Sequence, residues 1–274
     1  MTPTDGQLAG ASASSAPDTP RIRLALADYL TLGNALCGFL AVCALVAALS
    51  AHLAAGAEGP LPRSAMATVV GLMLVAAALD LLDGRVARKL GGSGMGAELD
   101  NLADVISFGF TPAFLFVVWG TQGGGGTLSV VAGGAVLLAV IVRLARFSLQ
   151  TPGTGYFTGL PCPFGAMAVV TVVLLDPPPT IAAVAVLFIS WLMVSRIEYP
   201  KPRGRKAYMV LGMIGMGVAL VVSWGMGLPA GQWLVYLVSV MVLVFIVTVP
   251  FHVLATRRAA AEPLPAGPAE PVEE

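Results

Sequence analysis

The chain has 274 residues, of which 57% are hydrophobic and only 11% are charged, and its acidic and basic residues balance to a net charge of zero. A water-soluble core of this length needs far less apolar surface, so the composition excludes an ordinary soluble domain and indicates a membrane protein.

The two ends of the chain differ from its middle. Residues 1–20 are rich in Thr, Ser, Ala, Gly and Pro, and residues 259–274 alternate Ala, Pro and Glu. Neither segment can bury enough apolar area to offset its ordering entropy, so both are predicted to be disordered tails. No charged segment leads into an apolar run with a cleavage site, so we expect no removable signal peptide. The transmembrane domain is predicted over residues 21–258.

The apolar residues of this domain fall into separate runs, most of them long enough to cross a hydrocarbon core of about 30 Å as a helix. The fifth run is the shortest, because prolines flank it on both sides. The predicted fold is all-α, a polytopic bundle of about eight spans at 28–53, 65–90, 97–119, 128–149, 163–176, 180–197, 206–226 and 231–254.

Basic residues predict the orientation, because cytoplasmic loops carry the excess of Lys and Arg. With the eight spans alternating, 14 of the 15 basic residues fall on one side, and only Arg63 falls on the other. Both termini are therefore expected in the cytoplasm, and the protein is expected in the cell (inner) membrane.

Cysteine and histidine give no sign of a soft-metal site. Cys37, Cys43 and Cys162 lie in or beside apolar runs without metal-binding spacing, so we expect them to be buried, reduced and structural. His52 and His252 stand far apart, which disfavours a zinc site.

Acidic residues concentrate at the junction of the second and third spans, where they are costly in lipid. Asp80 and Asp83 are three residues apart, and Asp100 and Asp104 are four apart, so each pair shares one helical face. Two antiparallel helices would turn these faces toward each other. At about 1.5 Å of rise per residue, Asp80 lies roughly 22 Å from the outer start of its span, near the cytoplasmic surface.

Four neighbouring carboxylates need cations or protons. Oxygen donors without His or Cys nearby favour Mg²⁺ or Mn²⁺, and two such ions can grip a diphosphate during phosphoryl displacement. Gly84 leaves room for a nucleotide, and Arg88 supplies a positive charge for a phosphate. Each feature has a structural alternative. A lone intramembrane Asp often bonds a neighbouring helix, and Arg85, Arg88 and Lys89 also fit topology signals.

The spacing of these residues, Asp80-x2-Asp83-Gly84-x2-Ala87-Arg88-x7-Gly96-x3-Asp100-x3-Asp104, resembles the signature of the CDP-alcohol phosphatidyltransferase family. The resemblance implies a core of six transmembrane helices, a two-metal site on the four aspartates, release of CMP, and a homodimer.

Further segments are similar to the bacterial and archaeal phosphatidylserine synthase branch of that family. They are TLGNALCGFLAV, LDNLADVISFGFTPA, RLARF, YFTGLPCP and LMVSRIEYPK, spread over most of residues 28–206. The chain departs from the branch at two positions: Asn101 replaces the usual Ser, and Ser148 replaces the usual Asn. If the second position helps to bind serine, acceptor choice depends on it.

The resemblance implies a role for each position of the signature. Asp80, Asp83 and Asp100 would bind the metals, and Asp104 would both bind metal and act as the general base. The CDP moiety would be bound by Gly84, Ala87, Arg88 and Gly96.

Three other polar residues lie where they can face the pocket. Arg143 and Arg146 are placed to bind the lipid phosphate or the serine carboxylate, with membrane-edge anchoring as the alternative. Asn34 either faces the pocket or bonds a neighbouring helix.

The expected substrates are CDP-diacylglycerol and L-serine, within membrane lipid and with no nucleic acid as partner. Choline, inositol or glycerol phosphate are alternative acceptors. A cation- or proton-coupled transporter is the alternative from another class, since it also places carboxylates in the membrane.

Overall fold

A computed structural model describes residues 23–149, 156–200, 205–228, 231, 233–244, 246 and 248. Both predicted tails, 1–20 and 259–274, lie outside the described residues. The helices are α1 (Leu26–Ala54), α2 (Arg63–Leu90), α3 (Gly96–Asp104), α4 (Thr111–Gln122), α5 (Gly126–Ser148), α6 (Cys162–Leu175), α7 (Pro179–Val194), α8 (Arg205–Gly225) and α9 (Trp233–Val244).

The prediction of a polytopic helical membrane bundle is confirmed. Within the described part of the chain, five helical segments are long and apolar enough to span a membrane: α1, α2, the continuous segment Gly96–Gln122, α5 and the Tyr208–Gly225 part of α8. Shorter apolar helices, α6, α7 and α9, occupy the fifth, sixth and eighth predicted positions. Proline sets the limits of α6 and α7, since Pro161 and Pro178 stand immediately before their first residues.

The third predicted span is one continuous helical segment, but it changes its winding in the middle. A π-helical stretch, Val105–Phe110, separates α3 from α4. In this stretch the Ser107 hydroxyl donates to the Asn34 carbonyl at 2.8 Å. Immediately after it, the Thr111 hydroxyl donates to the Gly38 carbonyl at 3.1 Å. The wider turn thus coincides with polar bonds to the backbone of α1. The hydropathy pattern predicted an uninterrupted helix here, because it does not report winding.

Close approach of these elements depends on glycine. A Cβ added to Gly38 would lie 2.6 Å from the Ser107 Oγ, and one added to Gly133 of α5 would lie 2.9 Å from the Ala113 carbonyl oxygen of α4. Helices in lipid associate through such small-residue contacts, because apolar side chains gain little by leaving lipid. The centre of the bundle is filled by fully buried side chains, among them Phe108, Phe116 and Met73.

The bundle brings α1, α2 and α3 together at one end. Helix α1 packs along α2 and also contacts α3, while α5 packs against α4 and α7. Gly91 ends α2 with a φ of 87°, a left-handed conformation that suits glycine, and the chain then reverses into α3. As a result, the last turns of α2 and the first turns of α3 lie beside the first turns of α1.

A small two-stranded ribbon, not predicted from the sequence, crosses the end of α5 and α7. Strand β1 (Tyr156–Thr158) pairs antiparallel with β2 (Glu198–Pro200). The ribbon is tied to α7 by a hydrogen bond of 3.1 Å from the Leu160 amide to the Leu192 carbonyl. Burial raises the pKa of the Tyr199 phenol in this ribbon to about 12. Three residues per strand are too few for an alternating pattern to indicate a strand.

Candidate active site

Three of the four predicted aspartates converge at the α2–α3 end of the bundle. One carboxylate oxygen from each of Asp80, Asp83 and Asp100 lies within 4.8 Å of the other two. Asp83 is buried, and Asp80 and Asp100 are partly buried. Oxygens this close, on neighbouring antiparallel helices, can share a divalent cation.

Asp104 lies one turn further along the third segment, next to this trio. Its side chain is 7% exposed and lies beside the Asp80 carboxyl group. The Asn34 amide of α1 donates to Asp104 Oδ1 at 3.3 Å. The structure therefore brings Asp104 and Asn34 to the same site, where Asn34 contacts the carboxylate of Asp104.

Helix α1 supplies a second contact to the aspartates, from a hydroxyl group, which the sequence reasoning missed. The buried Thr31 donates from Oγ1 to Asp83 Oδ2 at 2.7 Å. Thr31 and Asn34 are three residues apart, so they share the face of α1 that meets the aspartates. The spacing of Thr31 from Asn34 could have indicated that Thr31 faces the site. A threonine in an apolar helix, however, commonly bonds a carbonyl of its own helix, as Thr31 also does at Ala27.

A fifth carboxylate, Asp28, was also missed. Its side chain is 1% exposed, and Oδ2 accepts a 2.7 Å hydrogen bond from the Ala25 amide at the start of α1. The other oxygen, Oδ1, is buried without a hydrogen-bond partner, and it would lie 3.4 Å from a Cβ at Gly96. Asp28 lies in the first turn of α1, where an acidic residue commonly caps the helix. The sequence alone therefore did not indicate that one of its oxygens is unpaired.

The predicted nucleotide residues line the α2–α3 turn. A Cβ at Gly84 would lie 3.3 Å from the Arg88 guanidinium, so the absent side chain leaves room for the folded-back arginine. The Arg88 charge acts on Asp83. Ala87 faces the turn, since a Cβ at Gly92 would lie 3.7 Å from its own Cβ.

Arg143 of α5 faces the aspartates from the other side. Its side chain is 7% exposed, and its charge acts on both Asp80 and Asp104. One guanidinium nitrogen lies 3.0 Å from the Cys162 sulfur. The expectation that no cysteine lies near the cluster is therefore wrong, because α6 begins beside Arg143; the thiol contacts the guanidinium rather than the trio of carboxylates.

The three cysteines are free, as expected, but they are not all buried. Cys162 is buried, Cys37 is partly buried and Cys43 is exposed. Cys43 lies on α1, whose outer face carries exposed Leu36 and Phe39, so in a bilayer its environment is lipid.

Arg146 lies apart from the aspartates. It is exposed, and its guanidinium donates to the Val194 carbonyl at the end of α7 at 2.7 Å. Arg143 and Arg146 nevertheless line one small cavity of about 20 Å³ with Phe147, Thr158 and Met193. A cavity of this size holds about one water molecule.

The donor set fits a hard divalent ion. The trio offers carboxylate oxygens alone, and Asp100 Oδ1 is buried without a hydrogen-bond partner. A buried, unpaired carboxylate oxygen beside two other carboxylates is costly unless a cation joins them. The residues present therefore fit Mg²⁺ or Mn²⁺ rather than a thiolate- or imidazole-binding ion.

Comparison with known proteins decides the family. The family model described as CDP-alcohol phosphatidyltransferase matches residues 24–195, which include every residue of the aspartate cluster and Arg143. The chain belongs to the CDP-alcohol phosphatidyltransferase family.

Individual relatives of this family are similar over most of the chain. Archaetidylserine synthase of Methanothermobacter thermautotrophicus is 34% identical over 188 residues, covering 67% of this chain and 73% of that protein. CDP-diacylglycerol–serine O-phosphatidyltransferase of Methanocaldococcus jannaschii is 30% identical over 200 residues, covering 72% and 84%. The enzyme of that name from Bacillus subtilis is 31% identical over 178 residues, covering 62% and 87%.

Membership in the CDP-alcohol phosphatidyltransferase family makes this chain a membrane-embedded phosphotransferase and decides against the transporter alternative. The matched region runs from the start of α1 to the end of α7, and α8 and α9 lie beyond it.

Proposed function

We propose that the chain transfers the phosphatidyl group of CDP-diacylglycerol to the hydroxyl group of L-serine, giving phosphatidylserine and CMP. The convergence of Asp80, Asp83 and Asp100 oxygens within 4.8 Å carries the chemistry of the proposal. The choice of serine as the acceptor is supported by the relatives, several of which are named CDP-diacylglycerol–serine O-phosphatidyltransferase.

Two divalent cations, Mg²⁺ or Mn²⁺, would be held by Asp80, Asp83, Asp100 and Asp104. When bound, such ions neutralise the carboxylates and stabilise charge on the diphosphate and on the leaving oxygen. Thr31 supports this role, because its hydrogen bond to Asp83 Oδ2 fixes the orientation of one of the carboxylates that would bind metal.

Asp104 is proposed as the general base. It takes the proton of the serine hydroxyl as that oxygen forms a bond to the β-phosphorus of the CDP-lipid, while the bond from that phosphorus to the bridging oxygen breaks and CMP leaves. The hydrogen bond from Asn34 orients the carboxylate. Arg143, whose charge acts on Asp104, balances the negative charge of the cluster throughout the transfer.

The nucleotide is proposed to bind over the α2–α3 turn. Ala87 and Gly96 provide a surface without bulky side chains, and Gly84 leaves space beside it for the Arg88 guanidinium, which supplies a cation for a phosphate. Asp28 adds an acceptor, because its unpaired Oδ1 lies beside Gly96 and can accept a hydrogen bond from an amine donor of the nucleotide.

Serine and the lipid phosphate are proposed to lie between the aspartates and the end of α5. The charge of Arg143 acts on both Asp80 and Asp104, and Arg143 and Arg146 line the same small cavity. A carboxylate or phosphate oxygen entering there meets two guanidinium groups, which bind such oxygens strongly.

The reaction is proposed to take place on the cytoplasmic side of the cell (inner) membrane, because the sequence places 14 of 15 basic residues at that end. We also propose a homodimer formed through apolar helix faces in the bilayer. Mass measurement of the protein in a defined detergent tests the second point, and a monomer mass at all concentrations would contradict it.

One assay tests the function directly. The purified full-length protein is given CDP-diacylglycerol and radiolabelled serine, with choline, inositol and glycerol phosphate as competing acceptors. We expect labelled phosphatidylserine and stoichiometric CMP only with serine, and loss of both products in excess EDTA. Transfer to another acceptor would overturn the choice of serine, and full activity in EDTA would overturn the metal mechanism.

A further inference from the structure

A second pocket opens at the opposite end of the bundle from the aspartates. Its volume is about 200 Å³, and it lies among the α1–α2 loop and the ends of α4, α6 and α8, against α9. Met66, in its wall, is separated from Asp80 by fourteen positions of α2, or roughly 21 Å of helix. The reacting phosphate group at the aspartates therefore lies far from this pocket.

The pocket combines an apolar floor with an amphipathic rim. Leu45, Leu115 and Val173 form part of the floor, and Trp119, Trp224 and Tyr236 contribute aromatic rings. Tryptophan and tyrosine are typical of the boundary between hydrocarbon and water, where their rings meet apolar groups and their polar atoms meet head groups. The aromatic residues of the rim thus fit a position at the level of lipid head groups.

Two opposite charges line this pocket. Arg63 is the one basic residue that the positive-inside pattern leaves on the outer side, and Asp176 follows α6 in a left-handed conformation with φ of 48°. The indole of Trp119 donates to Asp176 Oδ1 at 2.8 Å and holds that carboxylate at the rim.

The two charges do not neutralise each other. Among the described residues, no ion pair joins Arg63 to Asp176, although both line the same space. A guanidinium suits a phosphate group, and a carboxylate suits an ammonium group. Together they match a molecule that carries both charges, with an apolar part for the floor.

We propose that this pocket binds the head group of a zwitterionic aminophospholipid from the leaflet opposite the active site, with its phosphate at Arg63 and its ammonium at Asp176. The apolar floor accommodates the glycerol end of the acyl chains, which continue along the lipid-facing helices. A water-soluble zwitterion carries the same two charges, but it would leave the apolar floor and the aromatic rim without partners.

Binding to the full-length protein in detergent tests this proposal. The probes are short-chain phosphatidylethanolamine, short-chain phosphatidylglycerol, which lacks the amine, and glycerophosphoethanolamine, which lacks the chains. We expect phosphatidylethanolamine to bind and raise the melting temperature, phosphatidylglycerol to need about tenfold higher concentration, and glycerophosphoethanolamine to have no effect in the same range.

Two substitutions separate the charges. Arg63→Gln is expected to weaken the binding of both lipids about tenfold. Asp176→Asn is expected to weaken the binding of phosphatidylethanolamine alone and so to abolish the preference for it. Arg63→Lys keeps the charge and should lose less than Arg63→Gln. Glu58→Gln is the matched control, because Glu58 is an exposed acid of the same α1–α2 loop that does not line the pocket.

CMP release by each variant shows that it is folded, since neither residue belongs to the reaction site. Unchanged lipid binding in both Arg63→Gln and Asp176→Asn would overturn the proposal. Equal affinity of the unaltered protein for the two lipids would remove the ammonium site, and equal binding of glycerophosphoethanolamine would assign the pocket to a soluble molecule instead.

Discussion

The amide of Asn101 in α3 donates a hydrogen bond of 3.0 Å to the hydroxyl of Ser148 at the end of α5. These are the two positions at which the chain departs from the phosphatidylserine synthase pattern, which has Ser at the first and Asn at the second. The two departures therefore contact each other, and exchanging the two side chains would again place an amide beside a hydroxyl at these positions. We infer that the pair compensates and that neither substitution by itself indicates a different acceptor.

A double exchange tests this compensation. Asn101→Ser and Ser148→Asn are each expected to lower stability by about 1 kcal/mol, because each leaves two like groups in place of the amide–hydroxyl pair. The double variant should recover most of that loss, in both the unfolding midpoint and serine transfer. Strictly additive losses in the double variant would show that the two side chains are not coupled.

Thr31 is expected to be a positioning residue for Asp83. Thr31→Val removes the hydroxyl at nearly constant shape, and turnover should fall about tenfold while the Mg²⁺ concentration needed for half-maximal activity rises. Thr31→Ser retains the donor and should stay within about threefold of the original turnover. An unchanged metal requirement in Thr31→Val would limit the hydroxyl to a packing role.

Arg143 is expected to be required for its charge near Asp80 and Asp104, not for its contact with the Cys162 thiol. Arg143→Gln should lower turnover by about a hundredfold, because it leaves the buried carboxylates without this cation. The turnover of Arg143→Lys should lie between that of Arg143→Gln and that of the original protein. Cys162→Ala keeps the guanidinium and should cost little activity. If Cys162→Ala were as damaging as Arg143→Gln, the thiol contact would be the essential one.

Gly133 is expected to set the distance between α4 and α5. Gly133→Ala places a Cβ 2.9 Å from the Ala113 carbonyl oxygen, a contact that requires the helices to shift, so the free energy of unfolding should fall by about 1–3 kcal/mol. The adjacent Gly134 is a matched control, because a Cβ there meets nothing within 4 Å. Thermal unfolding in detergent should distinguish the two variants, and equal midpoints would contradict tight α4–α5 packing at Gly133.

The helical framework could be predicted because bilayer thickness fixes the length of an apolar run. All eight predicted positions carry helix, and the proline-flanked fifth run is short, as its sequence indicates. The π-helical stretch at Val105–Phe110 could not be predicted, since it coincides with contacts from Ser107 and Thr111 to a distant helix. Such contacts leave no trace in local hydropathy.

The aspartates could be predicted because charge inside an apolar run is costly and needs a functional reason. Asp28 and Thr31 escaped notice because each has an ordinary local explanation, a helix cap for the first and a bond to its own helix for the second. Their role is visible only when α1 lies against α2 and α3. The spacing of Arg146 from Arg143 predicts a shared role, and both residues line one small cavity. The hydrogen bond from the Arg146 guanidinium to the end of α7 could not be predicted, because spacing along one helix does not report contacts with another.

The central claim is that Asp80, Asp83 and Asp100 bind divalent cations jointly. Titration of Mn²⁺ into the purified protein, followed by electron paramagnetic resonance of the free ion, measures this without depending on activity. We expect saturable binding in the original protein and its loss in Asp80→Asn, Asp83→Asn and Asp100→Asn, with Glu98→Gln, an exposed acid of the same helix as Asp100, unchanged. Equal Mn²⁺ binding by the three aspartate variants and the original protein would contradict the claim.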